Sequence, residues 1–181
     1  MLLRAAEPRD FHPIADLNNL FIATSAIHFS YDPVTPDELE AAWRATRERY
    51  PWIVAEIDGR FAGYAKAGTW RDRAAYAWTP ESGIYVEDWA RRRGVGRALY
   101  LRLFDVLRDQ GYHSLIGGIT LPNEPSVRLH ESVGFTQVSL IPRAGWKFNA
   151  WHDVGFGQRN LAEPGAPATP IRAPVITPTQ A

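Results

Sequence analysis

Apolar and polar positions alternate along the chain in a way that predicts short strands and amphipathic helices. Apolar residues recur at helical spacing from Pro8 to Phe21, which predicts a first helix. Thr35-Pro36-Asp37-Glu38 combines a capping box with a proline at the first helical position, so a second helix begins there and runs to about Tyr50. Strands are predicted over Leu2–Ala5, Trp52–Ile57 and Arg60–Gly68, the last two joined by an Asp58-Gly59 hairpin turn.

In the second half of the chain, the pattern of apolar and polar residues again predicts strands and helices. A third antiparallel strand is predicted over Ala75–Val86, followed by a helix over Val95–Gln110 that Gly111 ends. A buried strand over His113–Ile119 precedes a helix that Asn123 caps, which continues through Ser132 and stops at Gly134. The last two strands are predicted over Phe135–Ile141 and Trp151–Asn160.

The composition changes near residue 162. The chain has 181 residues, a length typical of one domain, which we place over residues 1–161. From Glu163 onward, prolines punctuate a segment with almost no charge and no aromatic residue. Such a segment has too little apolar surface for a core, so residues 162–181 are predicted to form a flexible or polyproline-like tail. A passive tail is the simpler interpretation, and a ligand for partner domains is the alternative.

Charge and residue counts exclude several classes of protein. The formal net charge is +0, so nucleic acid is not an expected partner. The chain contains no cysteine, which excludes disulfides, thiolate metal sites and a cysteine nucleophile, and its five histidines are not clustered, so no metal is expected. Neither a signal peptide nor an 18-residue apolar stretch is present. We therefore expect a cytoplasmic protein without a membrane partner.

A glycine- and arginine-rich loop separates the third antiparallel strand from the following helix. It is Arg91-Arg92-Arg93-Gly94-Val95-Gly96-Arg97. Glycines allow close approach of the backbone to an anion, and the free N–H groups of a helix start attract phosphate. The loop lacks the Lys-Ser/Thr of a Walker motif and the third glycine of a dinucleotide fingerprint. A pyrophosphate site is one interpretation, and an ordinary glycine turn before a surface helix is the other.

The Arg-x-x-Gly-x-Gly loop resembles that of the GCN5-related N-acetyltransferases (GNAT), which bind the pyrophosphate of acetyl-CoA. Other segments from Leu3 to Leu161 resemble the phosphinothricin N-acetyltransferases, whose close relatives acetylate methionine sulfoximine and methionine sulfone. They are Tyr50-Pro51-Trp52-Ile53-Val54-Ala55-Glu56, Trp70-Arg71-Asp72-Arg73-Ala74-Ala75-Tyr76, Trp78-Thr79-Pro80-Glu81-Ser82, Leu121-Pro122-Asn123-Glu124-Pro125-Ser126-Val127-Arg128, Gly145-Trp146-Lys147-Phe148 and Trp151-His152-Asp153-Val154-Gly155-Phe156.

The resemblance implies an α/β (α+β) domain with the GNAT acyl-CoA N-acyltransferase fold. Its mixed, mostly antiparallel sheet has a central splay, here between the strands that end near Val86 and near Ile119, and helices flank it. The pantetheine arm of acetyl-CoA fills the splay. The implied cofactor-binding residues are Ile84, Tyr85, Val86, Arg91, Arg92, Arg93, Gly94, Val95, Gly96, Arg97 and Asn123.

The implied reaction is direct acetyl transfer, through a tetrahedral intermediate, to the α-amine of a glutamate-like amino acid such as phosphinothricin or methionine sulfoximine. Glu81 is the candidate base, since burial beside apolar neighbours would raise its pKa; a surface or ion-paired carboxylate is the alternative. The resemblance assigns the oxyanion to the backbone N–H of Val86. His130 is an acid, a base or a positioning residue, or a surface or capping histidine.

Substrate recognition is expected to use arginines and aromatic residues. Arg71 and Arg73 offer forked donors for two anionic groups beside Tyr76, and Phe29 is expected to wall the side-chain pocket. Two solvated loop arginines and a core phenylalanine are the alternatives. Lys66 and Gly83 depart from the family pattern, where an aromatic residue and a threonine are usual, and this puts the side-chain specificity in question.

Two other functions stay open. The first is an acetyltransferase for another small amine or a peptide N-terminus, although Arg71 and Arg73 do not suit a polyamine. The second is a CoA-binding module without activity, which the presence of Glu81, His130 and the complete loop disfavours. The aromatic last strands resemble the dimer-forming part of the family, which implies a homodimer.

Overall fold

The fold is described by a computed structural model that covers residues 1–167 and 170–181. Eight strands form one sheet in the order β6-β7-β5-β4-β3-β2-β1-β8. The strands are β1 (Leu2–Ala5), β2 (Trp52–Ile57), β3 (Arg60–Gly68), β4 (Glu81–Val86), β5 (Ser114–Leu121), β6 (Thr136–Lys147), β7 (Ala150–Asn160) and β8 (Thr179–Gln180). The α-helices are α1 (Phe11–Thr24), α2 (Pro36–Thr46), α3 (Val95–Gln110) and α4 (Glu124–Ser132), and short 3₁₀ turns cover Pro8–Asp10, Ala74–Tyr76 and Asp88–Ala90.

Local signals in the sequence set several element boundaries correctly. The capping box of α2 is present, since the Thr35 hydroxyl accepts from the Glu38 N–H at 3.2 Å and the Glu38 carboxylate accepts from the Thr35 N–H at 2.8 Å. Gly94 and Gly111 flank α3 with φ values of 82° and 97°, where a residue without a Cβ is favoured. The predicted hairpin turn and the Asn123 cap of α4 are also confirmed.

Other boundaries differ from the prediction. The strand predicted from Ala75 begins only at Glu81, because residues 74–76 form a 3₁₀ turn and Pro80 has no N–H for the ladder. The first helix begins with a 3₁₀ turn at Pro8 and continues to Thr24, and the second helix ends at Thr46. β6 extends past Ile141 to Lys147, because Gly145, Trp146 and Lys147 still pair with β7 after a shift in register.

The predicted splay lies at the centre of the sheet. β4 and β5 are parallel neighbours and pair at only two positions, Glu81 with Ile116 and Ser82 with Gly117. Beyond these pairs β4 continues to Val86 and β5 to Leu121, while each stays paired on its other side to β3 or β7. The two strands therefore diverge, and a gap opens between them.

The helices cover both faces of the sheet. α3 packs on one face around Leu99, Leu103 and Leu107, all fully buried. α1 and α2 pack on the opposite face, where Phe11 and Trp43 meet aromatic residues of β2 and β3. No helix in the described parts of the chain is long and apolar enough to cross a membrane.

The proline-rich end of the chain follows the surface of the domain. β8 pairs antiparallel with β1 at Leu2 and Leu3, and Ile171 and Ile176 pack against the α3-side core. Two isolated isoleucines between prolines thus pack on the apolar surface of the domain, a contact that the sequence analysis did not predict. The flexibility of residues 162–181 and the domain boundary at residue 161 stay predictions, and residues 168 and 169 lie outside the described part.

Candidate active site

The backbone of β4 presents unpaired polar groups to the gap. The Ile116 N–H donates to the Pro80 carbonyl at 2.9 Å, and the Glu87 N–H donates to the Ala62 carbonyl of β3 at 3.0 Å. Since backbone groups alternate along a strand, even-numbered residues of β4 face β5 and odd-numbered ones face β3. Ile84 and Val86 therefore direct their N–H and C=O groups into the gap, past the last pair with β5. Such groups are available to a bound molecule.

A cavity of about 210 Å³ passes through the gap from one face of the sheet to the other. On the α1 face it is lined by Glu81, Gly83 and Tyr85. On the α3 face it is lined by Ser82, Tyr100 and His130. The faces follow from strand alternation, since the Tyr85 ring contacts Phe21 of α1 whereas Ile84 and Val86 pack toward α3. Two titratable side chains, Glu81 and His130, thus border one cavity from opposite faces of the sheet.

A larger cleft of about 750 Å³ continues from this gap over the start of α3. All the predicted cofactor-binding residues except Arg93 line this cleft, which Phe21, Ile27, Ala90, Pro125, Ser126, Arg128 and Leu129 complete. Arg93 turns away, and its guanidinium lies 5.7 Å from the Trp89 ring. Three of these additional residues, Pro125, Ser126 and Arg128, belong to the family-like segment that ends at Arg128, but their residue types did not indicate a role in this cleft. Leu129 follows that segment directly.

The loop has the properties of an anion cradle. The N–H groups of Val95, Gly96 and Arg97 have no capping side chain, and the first helical bond comes from Ala98 to Gly94. A Cβ on Gly96 would lie 2.8 Å from the Leu129 Cδ2, so glycine permits the close approach of α3 and α4. Among the described residues Arg92 and Arg97 make no ion pair, whereas Arg91 pairs with exposed Asp88 at 2.9 Å. The donor set fits the pyrophosphate of acetyl-CoA.

Glu81 lies at the start of β4, on the α1 face of the gap. Its Oε1 is 3.2 Å from the position that a Cβ on Gly118 would occupy, so the carboxylate lies across the parallel β4–β5 pair. Burial raises the pKa of Glu81, and the charge of Lys66 partly opposes this effect. No ion pair forms at Glu81 among the described residues. A carboxylate with a raised pKa and no partner is suited to accept a proton.

His130 is 5 % exposed and its tautomer is set by its neighbours. Its Nδ1 lies 2.8 Å from the Ser126 carbonyl oxygen, which can only accept, so Nδ1 carries the proton. Nε2 is then the acceptor for the Tyr100 hydroxyl, 2.7 Å away. Burial lowers the pKa of His130, and the bond to Ser126 partly restores it. The neutral imidazole is therefore favoured near pH 7.

Tyr100 was not among the predicted site residues. It occupies the apolar face of α3 and is fully buried, a pattern typical of a core residue. Its hydroxyl contacts His130, lies 3.3 Å from the Ser82 hydroxyl and lines the cavity in the gap, and burial raises its pKa. Its distance of 30 residues from His130 along the chain left no local signal of the contact.

The predicted substrate-binding residues lie apart from this gap. Arg71 stacks over Trp70 at 5.0 Å and near Tyr76 in the exposed loop between β3 and β4, which also holds Arg73. None of these residues lines the gap cavity or the cleft. Phe29 packs on Gly145 of β6, where a Cβ would lie 2.5 Å from its ring. Their roles in substrate binding stay predictions. In the described parts of the chain no group of three or more acidic or histidine side chains is arranged to hold a metal ion.

Comparisons with known proteins agree with this geometry. A family model for the acetyltransferase (GNAT) family matches residues 15–135. A phosphinothricin N-acetyltransferase from Streptomyces viridochromogenes is 44% identical over 170 residues, which cover 94% of this chain and 92% of the relative. An L-methionine sulfoximine/L-methionine sulfone acetyltransferase from Salmonella typhimurium is 36% identical, with coverage of 92% and 98%.

Solved structures show the same architecture. A Salmonella typhimurium protein described as an acetyltransferase, solved with its cofactor acetyl-CoA, superposes with a TM-score of 0.89 at 34% identity, covering 93% of this chain and 98% of that one. A phosphinothricin acetyltransferase of the GNAT superfamily from Sinorhizobium meliloti, in complex with acetyl-CoA, gives a TM-score of 0.89 at 29% identity, with coverage of 93% and 94%.

Proposed function

Since the chain belongs to the acetyltransferase (GNAT) family and is an acetyl-CoA-dependent N-acetyltransferase, we propose that its acceptor is the α-amine of a glutamate-like amino acid. The names of its relatives support phosphinothricin and methionine sulfoximine as representatives of this class. The observation that carries the proposal is the cavity through the splay, which joins the cofactor cleft to the face that bears Glu81. An amine on that face would meet an acetyl group that enters from the other.

Glu81 removes the proton of the ammonium group in this proposal. The nucleophile is the free amine. Because an α-ammonium group titrates about one to two pH units above neutral in small molecules, a base of moderate strength is enough to remove its proton. Burial raises the pKa of Glu81 toward that of the amine, which makes its carboxylate a stronger base. Reach through one water molecule is sufficient, because the cavity is polar and open.

The backbone of β4 supports the next step. Acetyl-CoA supplies an activated thioester when bound, and charge develops on the carbonyl oxygen as the amine attacks. The Val86 N–H points into the gap and has no strand partner there, so it can donate to that oxygen. The fixed orientation of a strand backbone makes this donor available without reorganisation.

His130 acts in this proposal through Tyr100. Its Nε2 holds the tyrosine hydroxyl, and that hydroxyl lines the cavity on the side where the thiolate departs. The thiolate takes its proton from the Tyr100 hydroxyl, which turns from His130 Nε2 and then recovers a proton from the water-accessible cavity, so the tyrosine ends neutral and His130 is its positioning residue. Starting from the ammonium form, the products are the N-acetyl amino acid, the free thiol of CoA and one proton.

Measuring thiol release from acetyl-CoA tests the function. The panel contains phosphinothricin, methionine sulfoximine, methionine sulfone, glutamate, spermidine and a short peptide. We expect the first two to be preferred, and Glu81→Gln to lower kcat/KM by about 10²- to 10⁴-fold. Glu87→Gln is the matched control, because burial also raises the pKa of this carboxyl group at the other end of β4. Turnover with spermidine or the peptide alone would refute the acceptor class.

The exposed surface of β6 and β7 supports a homodimer. Apolar residues that are about half exposed cluster on this hairpin at the edge of the sheet, namely Val138, Leu140, Ile141, Trp146, Phe148 and Trp151. Patches of this kind mark interfaces. Trp151→Glu should shift the protein from dimer to monomer in light scattering, and a wild-type monomer would contradict the proposal. We also propose that the enzyme works in the cytoplasm, where acetyl-CoA is available, and that N-acetylation of toxic amino acids confers resistance.

A further inference from the structure

Two glycines leave a trough on the α1 face of the sheet, beside Glu81. Gly83 of β4 lies opposite Lys66 of β3, and Gly118 of β5 faces Gly83 across the opening gap, one residue beyond the last β4–β5 pair. A Cβ on Gly118 would lie 3.3 Å from the Phe156 ring. Side chains that stand on one face of neighbouring strands form a row. The row here runs Lys66, Gly83, Gly118, Phe156, so its two middle positions carry no side chain of their own, and the Glu81 carboxylate and the Lys66 stem border the space above them.

Lys66 forms one wall of this trough. A Cβ on Gly83 would lie 3.6 Å from the Lys66 Cε, so the lysine stem lies along the space that a larger residue at position 83 would occupy. The ammonium group lies 4.4 Å from the centre of the Trp52 ring on β2. The two departures from the family pattern are thus one local arrangement, in which the loss of a side chain at Gly83 makes room for a cation.

The ammonium group of Lys66 has no anionic partner. It makes no ion pair or hydrogen bond with any described residue, and its contact with Trp52 is a cation–π interaction. Burial lowers the pKa of Lys66, and the charge of Glu81 acts in the opposite direction. Lys147 lies near the same corner, since both ammonium groups lower the pKa of His28. The two ammonium groups of Lys66 and Lys147 and the one carboxylate of Glu81 give this part of the α1 face a net positive charge.

We propose that Lys66 binds an oxyanion on the side chain of the acceptor amino acid and thereby selects acidic acceptors over neutral ones. This inference rests on the proposed function. The amine lies beside Glu81, and the ammonium group lies toward β2, at least one strand spacing of about 4.8 Å farther from the gap. An α-carboxylate is too close to the amine to span this separation, whereas a carboxylate or phosphinate at the end of a two- to three-carbon chain reaches it.

Selectivity between matched acceptors tests the inference. Phosphinothricin carries a side-chain phosphinate, and methionine sulfone carries a neutral tetrahedral sulfur group of similar reach. The measured quantity is the ratio of their kcat/KM values. Replacing Lys66 by Met removes the charge and keeps the stem, and we expect this ratio to fall about 10- to 100-fold, mainly through the KM for phosphinothricin. The glutamate-to-glutamine ratio should fall in the same way.

Three further variants complete the experiment. Lys66→Arg keeps the charge and should keep most of the preference for phosphinothricin. Lys66→Gln is a second neutral variant, whose ratio should also fall, in case Lys66→Met fails to fold. Arg60→Met is the matched control, because Arg60 lies on the same strand with its guanidinium 4.2 Å from the Trp89 ring, and its ratio should equal that of the wild type.

The outcomes separate the two proposals. A ratio that does not change in Lys66→Met or Lys66→Gln, with turnover of both acceptors, overturns the role of Lys66 and leaves the proposed function intact. An equal loss of kcat/KM for both acceptors also overturns it, since the lysine then binds a group that both share. A wild type that acetylates neither acceptor but does acetylate another amine overturns the proposed function itself.

Discussion

Tyr100→Phe removes one buried hydroxyl and keeps the ring. The ring contacts with Phe104, His130 and Phe135, at centroid distances of 5.1 to 5.4 Å, remain. The hydroxyl bond to His130 Nε2 at 2.7 Å is lost, which leaves a buried acceptor without its partner. Such a loss costs about 1–3 kcal/mol. For a protein of this length, the melting temperature should fall by roughly 2–12 °C.

The same substitution should raise the pKa of His130. In the wild type the tyrosine donates to the lone pair of Nε2, which stabilises the neutral imidazole, and burial acts in the same direction. Without the donor, the charged form is less disfavoured. Because the folded-state pKa lies below the ordinary value of 6.5, wild-type stability is complete above that value and decreases as the pH falls through the folded-state pKa. The variant should lose less stability over that interval.

Urea unfolding at several pH values and an NMR titration of the His130 ring measure both effects. Tyr112→Phe is the matched control, because the Tyr112 hydroxyl is also buried and donates to the Arg49 carbonyl at 3.0 Å, but it does not contact His130. The control should lose comparable stability and leave the pKa of His130 unchanged. An unchanged titration of His130 in Tyr100→Phe would refute the assigned tautomer and the hydrogen bond through which His130 positions Tyr100.

Three shorter predictions concern the base, the cofactor loop and the fold. In a pH–rate profile, kcat/KM should rise with pH through an acidic limb above 4.5, the ordinary pKa of Glu81, and a limb at that value would contradict the role of burial. Gly96→Val should raise the Kd for acetyl-CoA about tenfold or more in calorimetry, because the new side chain meets Leu129. Asp10→Ala should cost about 3–5 kcal/mol in urea unfolding, since it leaves Arg4 buried with one fewer carboxylate; a cost below 1 kcal/mol would contradict this.

Much of the fold was predictable because its signals are local. Several of these signals involve residues within a few positions of each other, so they can be recognised in the sequence directly. They are the capping box before α2, the glycines at both ends of α3 and the Asn123 cap of α4. The strand start at Glu81 was predicted too early. The apolar residues of 74–78 resemble a strand, and only the path of the chain shows that they form a loop.

The candidate site was predictable where its residues are adjacent along the chain. Glycines and arginines that follow a strand and open a helix predicted either a pyrophosphate site or an ordinary glycine turn, and in the structure all of that loop except Arg93 lines one cleft. The orientation of Arg93 was not predictable, since its contact with Trp89 depends on the turn between them. Likewise, nothing in the sequence of the loop that contains Arg71 indicated that this loop lies apart from the gap.

The sequence by itself determined the order of the elements, the anion-binding loop and the candidate base at Glu81, because each depends on the identity of neighbouring residues. Only the tertiary structure decided that the Tyr100 hydroxyl is hydrogen-bonded to His130 and that Lys66 of β3 lies opposite Gly83 of the neighbouring strand β4. The first contact depends on how two helices pack and the second on strand register. A shift of one residue in that register would move Lys66 to the other face of the sheet. These contacts join residues far apart in the chain, so no local pattern encodes them.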